Sequence, residues 1–172
     1  GEAIDIGSKD RSLLVTGAVS SAQAMPNYVA KTKAEDGDVV EEGASPATYD
    51  NDNVSIVRAA RIDDRTILGD LGAEQLTAHG TVGAIIHDKL VVIDPRSPDC
   101  TVILGSHNLG YKASYSNDEN MLIVTGDREL AAAYAVHILD VYDHYRFRAI
   151  ESERQRKGQK GWSGFLDTND RW

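Results

Sequence analysis

The chain consists of short apolar runs of strand length followed by one long helical pattern. Apolar, β-branched runs occupy residues 12–19, 54–60, 83–94, 101–105 and 121–125, and the last three are bounded by Pro, Gly, Asp or Asn. Residues 70–80 have the composition of a short helix that ends at Gly80. The pattern predicts several short strands with a helix among them.

The longest periodic segment runs from Asp127 to about Lys157. Asp127 suits a helix N-cap, and apolar residues then recur every three to four positions on one face: Leu130, Tyr134, Ile138, Val141 and Tyr145. His137 and His144 lie on the same helix at a spacing that does not suit a metal site, and we interpret them as packing and surface residues. Strands followed by a long covering helix predict an α/β or α+β layered domain, with a mixed sheet covered by helices.

Composition excludes two classes of protein. With 41% hydrophobic residues in 172, the chain can bury a core, so it is not a disordered protein. No apolar run approaches the roughly 20 residues of a membrane helix, and the N-terminus lacks a signal-peptide pattern. We expect a soluble globular protein and predict no compartment. The one cysteine, Cys100, can form no internal disulfide and has no metal-ligand spacing.

Charge is unevenly distributed along the chain. The net charge of −9 disfavours non-specific attraction of nucleic acid to the whole surface. Residues 31–52 hold seven acids and two lysines, whereas residues 146–160 hold six bases and two acids. We interpret residues 35–53 as an exposed acidic loop or insertion. The whole-chain charge therefore does not describe any one cleft.

We expect residues 1–172 to form one domain. The chain begins without Met and starts as if within an element, so we expect a piece of a longer protein. Residues 158–172 are too short to fold alone. We predict that this tail packs on the domain through its aromatic residues: Trp162, Phe165 and Trp172.

A histidine and a lysine interrupt the apolar run at 83–94. His87 and Lys89 are two positions apart, so in a strand both side chains lie on one face, about 6.6 to 6.8 Å apart. A neutral imidazole is a nucleophile, and a neighbouring ammonium neutralises phosphate oxygens. Asp94, at the end of the strand, is placed to orient or balance such groups. The pair suits a short-lived phosphoenzyme.

A second polar set follows the run at 101–105. Gly105 allows the backbone to approach a ligand closely, and Ser106 and Asn108 place a hydroxyl and an amide together where a phosphoryl oxygen could bind. Glu119 directly precedes the run at 121–125, from which it could return to the same cleft and hold an imidazole. We interpret His107 as a residue at the pocket edge or in packing.

These residues resemble the phospholipase D superfamily. Its signature is His-x-Lys-x4-Asp, followed by Gly-Ser-x-Asn and, in several members, Asn-x-Glu-Asn. The three elements occur here in that order as His87, Lys89 and Asp94, then Gly105, Ser106, His107 and Asn108, then Asn117, Asp118, Glu119 and Asn120. The resemblance covers residues 80–126 closely and the flanking segments loosely. It implies a phospholipase D-like sandwich with a long C-terminal helix.

The resemblance implies a double displacement at phosphorus through a phosphohistidine. His87, or its counterpart in a second motif, would attack phosphorus, and the other histidine would protonate the leaving oxygen and then activate water. Lys89 and Asn108 would bind the phosphoryl oxygens, Ser106 would support the pocket, and Glu119 or Asp94 would orient a histidine. The chemistry requires no metal or other cofactor.

The family's site needs two such motifs, whereas this chain has one, because no other histidine is followed by x-Lys. The second half would come from an upstream segment of the same protein, which we favour, or from a homodimer mate. A phosphodiester is the implied substrate. We favour a phospholipid, with an endonuclease of the same superfamily as the alternative. A non-catalytic half that completes or regulates a partner's site is the third interpretation.

Overall fold

The computed structural model describes residues 2–21, 24–26, 46–59, 86–109 and 111–160. The chain divides into two units, which are described separately. One, the terminal unit, combines residues 1–86 with 142–172, and the other, the motif unit, comprises residues 87–141. Helices and small sheets occur in both, so the mixed α/β class is confirmed. The sandwich arrangement and the single domain stay predictions.

The terminal unit contains helix α1 (Glu2–Lys9) and strands β1 (Val15–Val19), β2 (Thr48–Asn51) and β3 (Val54–Arg58). The central strand, β3, pairs parallel with β1 and antiparallel with β2. β-Branched residues of β3 fill the interior, since Val54 and Val57 are completely buried. Strand β2 falls within residues 35–53, so the end of the predicted acidic loop is a strand that pairs with β3.

The side chain of Asn53 links the β2–β3 turn to the C-terminal end of α1 by hydrogen bonds. Asn53 Nδ2 donates to three backbone oxygens, those of Gly7 at 2.7 Å, Asp10 at 3.1 Å and Leu13 at 2.6 Å. An amide has two N–H groups, so three acceptors share them. One of these oxygens, that of Gly7, belongs to the last turn of α1, where carbonyls have no partner within the helix.

The motif unit contains strands β4 (Leu90–Ile93), β5 (Thr101–Gly105) and β6 (Met121–Thr125), with the short helix α2 (Tyr111–Ser116) between β5 and β6. The sheet order is β4-β5-β6, and both pairings are antiparallel. Cys100 and Val102 are buried here, against Ala131 of the following helix. The fully buried Cys100 is a packing residue.

The long helix α3 (Arg128–Arg156) contributes residues to both units. Asp127 caps it as predicted, because the Leu130 N–H donates to Asp127 Oδ1 at 3.0 Å. Tyr134 packs on the core of the motif unit, and Tyr142 and Ala149 are buried against Val57 in the terminal unit. None of the described helices is both long and apolar enough to cross a membrane.

Four of the five predicted strand runs are confirmed, and 101–105 and 121–125 match β5 and β6 residue for residue. The run at 83–94 is shorter than predicted. Strand β4 begins at Leu90, so His87 and Lys89 lie in the segment before it, which has no regular secondary structure. The predictions for residues 70–80 and for the aromatic residues of the tail lie outside the described residues.

Candidate active site

Strand pairing collects most of the predicted site residues at one edge of the motif sheet. Leu90 pairs with Leu104, and Leu104 pairs with Leu122. Because β5 is antiparallel to both neighbours, the residues before β4, after β5 and before β6 meet at the same edge. The segment before β4 contains His87 and Lys89. The segment after β5 contains Ser106 to Asn108, and the segment before β6 contains Glu119. The antiparallel register therefore gathers three sequence elements that are up to 32 positions apart.

A clasp between Ser106 and Asn120 closes this edge. The Ser106 N–H donates to Asn120 O at 3.1 Å and to its Oδ1 at 3.0 Å, and the His107 N–H also donates to Asn120 O, at 3.2 Å. In return, the Asn120 N–H donates to Ser106 Oγ at 3.0 Å. The last asparagine of the Asn-x-Glu-Asn element therefore fixes the Gly-Ser-x-Asn element in place.

The clasp requires glycine at position 105. Gly105 has φ +152°, which side-chain-bearing residues rarely adopt. A Cβ at this position would collide with the carbonyl oxygen of Asn120 and lie 2.9 Å from its Oδ1. Glycine therefore allows the two strands to approach closely at the edge where the site lies.

We expect Gly105→Ala to lower the free energy of unfolding by about 2 to 4 kcal/mol, because it adds both backbone strain and a steric clash. Urea denaturation measures the change. Gly17→Ala in β1 is the matched control, since a Cβ there meets nothing within 4 Å, and we expect a change below about 1 kcal/mol. Equal effects of the two substitutions would contradict this account of the clasp.

The Glu119 carboxylate is stabilised in its charged form. The Ser106 hydroxyl donates to it, and so does Asn117 Nδ2, at 3.2 Å from Oε1. These hydrogen bonds, with the Ser106 bond contributing most, hold the pKa of Glu119 below its ordinary value of 4.5, and the positive charge of Lys89 acts in the same direction. Glu119 is therefore an anion at neutral pH.

The Ser106 hydroxyl interacts with two other residues of the site. It donates to Glu119 and accepts from the Asn120 N–H. Its support of the phosphate pocket stays a prediction.

Of the His-x-Lys pair, Lys89 is close enough to this anionic group to act on it. Lys89 Nζ donates to His87 O at 2.7 Å, and its charge is close enough to act on Glu119. This hydrogen bond holds the Lys89 ammonium against the backbone of the His-x-Lys element. The His87 side chain is exposed, and no hydrogen bond joins its imidazole to another described residue. The imidazole is accessible to a substrate.

His107 does not offer a second nucleophile. Its Nδ1 accepts the Leu109 N–H at 3.0 Å, which places the ring proton on Nε2, and Nε2 lies 3.0 Å from Ser114 Oγ. Both ring nitrogens therefore stabilise the turn into α2. Leu109 adopts a positive φ of 49°, so this turn is also strained.

The two remaining predicted site residues, Asn108 and Asp94, lie at opposite edges of the motif sheet. Asn108 is exposed beside the clasp, at the same sheet edge as Lys89. Asp94 lies at the opposite end of β4, five residues from Lys89, or about 17 Å along the strand. It has φ 46° and begins a turn in which its carbonyl accepts the Ser97 N–H at 2.8 Å. The structure does not bring Asp94 to the other residues.

Two residues that make contacts within the motif unit were not predicted from the sequence. Asn120 was noted only as part of a motif, and nothing in its spacing indicated a clasp. Asp88, the variable residue of the His-x-Lys pair, accepts a hydrogen bond at 3.0 Å from His137 Nε2 on α3. The prediction that His137 is a surface residue holds, since it is about half exposed. Its partner, 49 positions away, could not be inferred from helix periodicity.

An α/β chain that brings His-x-Lys, Gly-Ser-x-Asn and Asn-x-Glu-Asn elements to one sheet edge has the features of a phospholipase D-like domain. A family model described as "Cardiolipin synthase, PLD-like domain" matches residues 44–141, more than half of the chain. The chain therefore belongs to this family of the phospholipase D superfamily. Comparison with curated proteins and with solved structures gave no significant match.

Proposed function

We propose that this chain supplies one half of a two-histidine phosphodiesterase site that acts through a phosphohistidine. The observation that supports it most is the common sheet edge, where the ammonium of Lys89 acts on the ordered carboxylate of Glu119 and the same His-x-Lys element presents the accessible imidazole of His87. Membership of a phospholipase D-like family points to phosphodiester chemistry in general terms.

In the proposed reaction, an imidazole nitrogen attacks phosphorus, forming a P–N bond as the P–O bond to the leaving group breaks. The second histidine, from the other half, gives its proton to the leaving oxygen. It then removes a proton from water, which attacks phosphorus and breaks the P–N bond. His87 takes one of these two roles, and both histidines return to their starting states.

Lys89 and Asn108 are proposed to bind the non-bridging phosphoryl oxygens. The ammonium supplies a full charge and the amide a directed donor, so both stabilise the negative charge that the transition state carries. Glu119 is proposed to orient a histidine, and Ser106 to hold Glu119 in position. We do not assign a catalytic step to Asp94, because it lies at the other end of β4.

Glu119→Gln tests the orienting role. The substitution preserves shape but removes the charge, and we expect kcat to fall by about 10-fold, with a changed pH profile between pH 5 and 8. The assay is hydrolysis of bis-(p-nitrophenyl) phosphate, with Asp118→Asn as the matched control because Asp118 is exposed and adjacent. Rates and profiles equal to those of the wild type would contradict the role.

The same substitution should change stability with a defined pH dependence. The folded-state pKa of Glu119 lies below 4.5, so the unfolded chain binds the proton first as the pH falls. The stabilisation by the carboxylate is therefore full above about pH 4.5 and is lost as the pH falls through the lower folded-state pKa. Urea denaturation of both proteins between pH 7 and 3 should show their difference shrinking only in acid.

A phospholipid is the substrate that we propose to test first. The family description names a cardiolipin synthase, and the net charge of −9 opposes general attraction of a polyanion. Nucleic acid, the substrate of an endonuclease of the same superfamily, is the second candidate. Release of phosphatidic acid from vesicles, measured beside nicking of plasmid DNA in the presence of a chelator, separates the two. Adding an alcohol shows whether the acceptor is water or an alcohol.

A non-catalytic half remains the third proposal. It predicts that the chain changes the activity of a partner while its own His87 is dispensable. The ordered carboxylate of Glu119 and the exposed imidazole of His87 count against it, because a degenerate site has no need to keep both.

A further inference from the structure

The segment that carries His87 and Lys89 has no regular secondary structure. Residues 86–89 precede β4, whose pairing with β5 begins at Leu90 opposite Leu104. In a strand, the ladder of backbone hydrogen bonds fixes the direction of each side chain. His87 and Lys89 lie before that ladder, so the directions of the imidazole and the ammonium depend on other contacts.

One of those contacts joins the segment to helix α3. His137 Nε2 on that helix lies 3.0 Å from Asp88 Oδ2. A carboxylate can only accept a hydrogen bond, so Nε2 carries the proton and donates it. The hydrogen bond from Lys89 Nζ to His87 O stays within the segment and cannot fix it to the rest of the unit. In the part of the chain that the structure describes, Asp88 thus provides the segment's one side-chain hydrogen bond to another element.

Helix α3 is a firm base for this contact. Its first turn is capped by Asp127, and Ala131 is completely buried in the core of the motif unit. Tyr134 packs on the same core, and His137 follows it by three positions, which is less than one helical turn. The donor is therefore held next to the packed part of the helix, whereas its acceptor belongs to an irregular segment.

We propose that His137 is a positioning residue of the proposed active site. Asp88 is the middle residue of the His-x-Lys element, so a bond that holds it limits the movement of the residue on each side. His137 touches neither the substrate nor the reacting atoms, and it acts through Asp88 on His87 and Lys89. The inference deepens the proposed function and rests on it, because the direction of the two side chains matters only if they act on a phosphodiester.

The strength of the pair sets the size of the expected effect. Both side chains are about half exposed, 49% for His137 and 48% for Asp88. Exposed pairs of this kind shift an equilibrium by no more than about five-fold and add little to the stability of the whole fold. A shift of that size is enough to change how often a short irregular segment is correctly placed. Loss of the bond should therefore loosen the segment while the unit stays folded.

The first measurement needs no turnover and uses the full 172-residue chain. Backbone amide relaxation by NMR, including relaxation dispersion, reports motion from picoseconds to milliseconds. In His137→Ala, we expect the order parameters of the Asp88 and Lys89 amides to fall from about 0.85 towards about 0.6, or exchange broadening to develop there. His137→Gln keeps an N–H donor and should restore the wild-type values. Asp140→Ala, which removes an exposed carboxylate of α3, is the control and should change neither amide.

The second measurement is hydrolysis of bis-(p-nitrophenyl) phosphate by an assembly in which the wild-type chain is active. His137→Ala and Asp88→Ala should each lower kcat about 3- to 5-fold. The double variant should lose no more than either single variant, because both substitutions remove the same bond. His137→Gln should recover most of the wild-type kcat, which a general loss of packing around this position would not allow. Asp140→Ala should leave kcat unchanged.

The outcomes separate this inference from the proposed function. Unchanged relaxation of both amides in His137→Ala, or additive losses of kcat in the double variant, would overturn the positioning role. If His87→Ala, assayed beside these variants, keeps its activity, the proposed function fails, and the relaxation data still decide whether His137 holds the segment. If His87→Ala is inactive and His137→Ala is fully active, the proposed function stands and the positioning role fails.

Discussion

His87→Ala is expected to lower kcat on a phosphodiester by at least about 10⁴-fold in any assembly in which the wild-type chain is active. An alanine can neither bond to phosphorus nor transfer a proton, so either proposed role of His87 is lost. The side chain is exposed and makes no hydrogen bond to another described residue. We therefore expect the free energy of unfolding to change by less than about 0.5 kcal/mol.

The measurement compares His87→Ala with wild type on bis-(p-nitrophenyl) phosphate and on a phospholipid. His144→Ala is the matched control, since His144 is an exposed histidine of α3 in the terminal unit, and its kcat should stay within twofold. If His87 is the proton donor, the loss should be smaller with the p-nitrophenyl ester, because its leaving oxygen needs little protonation. If His87 is the nucleophile, both substrates should lose activity equally.

A chemical trap separates the two roles further. A radiolabelled phosphodiester, quenched in alkali during turnover, should leave label on a histidine of the wild-type assembly. The label should be absent from His87→Ala if this residue is the nucleophile. Turnover by His87→Ala close to that of wild type would refute the catalytic assignment in either role.

Much of the candidate site could be predicted because glycine and polar residues mark the ends of the strands in the sequence. The run at 101–105 lies between Asp99 and Gly105, and the run at 121–125 follows Asn120. These residues are at the observed ends of β5 and β6 or within two residues of them. Since antiparallel neighbours bring alternate strand ends together, correct ends placed Ser106 and Glu119 at one edge. The helix cap at Asp127 was predictable for the same local reason.

What could not be predicted depends on contacts between distant residues. The clasp between Ser106 and Asn120 needs the close approach that Gly105 allows, but a glycine in a strand is equally typical of a bulge or a bend. The pair of Asp88 and His137 joins a loop to a helix by tertiary packing alone. Strand β4 was overextended because an apolar run shows where burial is possible, not where strand pairing begins.

The distance between Asp94 and the other residues has a similar origin. In the sequence, Asp94 belongs to the same motif as His87 and Lys89. Four strand residues separate it from Lys89, which carries it to the opposite sheet edge. Its left-handed backbone, which Asp tolerates better than most residues, suits the turn between β4 and β5. A motif that is continuous in sequence is therefore divided in space.

Strand β6 is an edge strand of the motif unit and has several exposed apolar side chains. Met121, Leu122 and Ile123 are consecutive and are 52%, 57% and 54% exposed, so apolar side chains on both faces of this edge strand face solvent. An uncovered apolar edge strand is typical of a surface that packs against another chain or segment. It supports the proposal that a second half completes the site, and it lies beside Asn120 and Glu119.

Leu122→Asp is expected to prevent that association and to lower phosphodiesterase activity by at least about 100-fold while the unit stays folded. A carboxylate at a packed apolar contact must be buried without a partner, which costs several kcal/mol. In the free chain it stays in water, because Leu122 is already exposed. Leu14→Asp, at a position 82% exposed in the terminal unit, is the matched control and should change neither property.

Light scattering of the wild-type chain decides which form the second half takes. A dimer that Leu122→Asp converts to a monomer, with loss of activity, means that two copies of His87 face one another. A wild-type monomer without activity means that the second motif lies in a longer form of the protein. Leu122→Asp should then block activation by that segment when it is supplied separately. A fully active Leu122→Asp variant would show that β6 covers no part of the site, and the missing histidine would have to approach from another face.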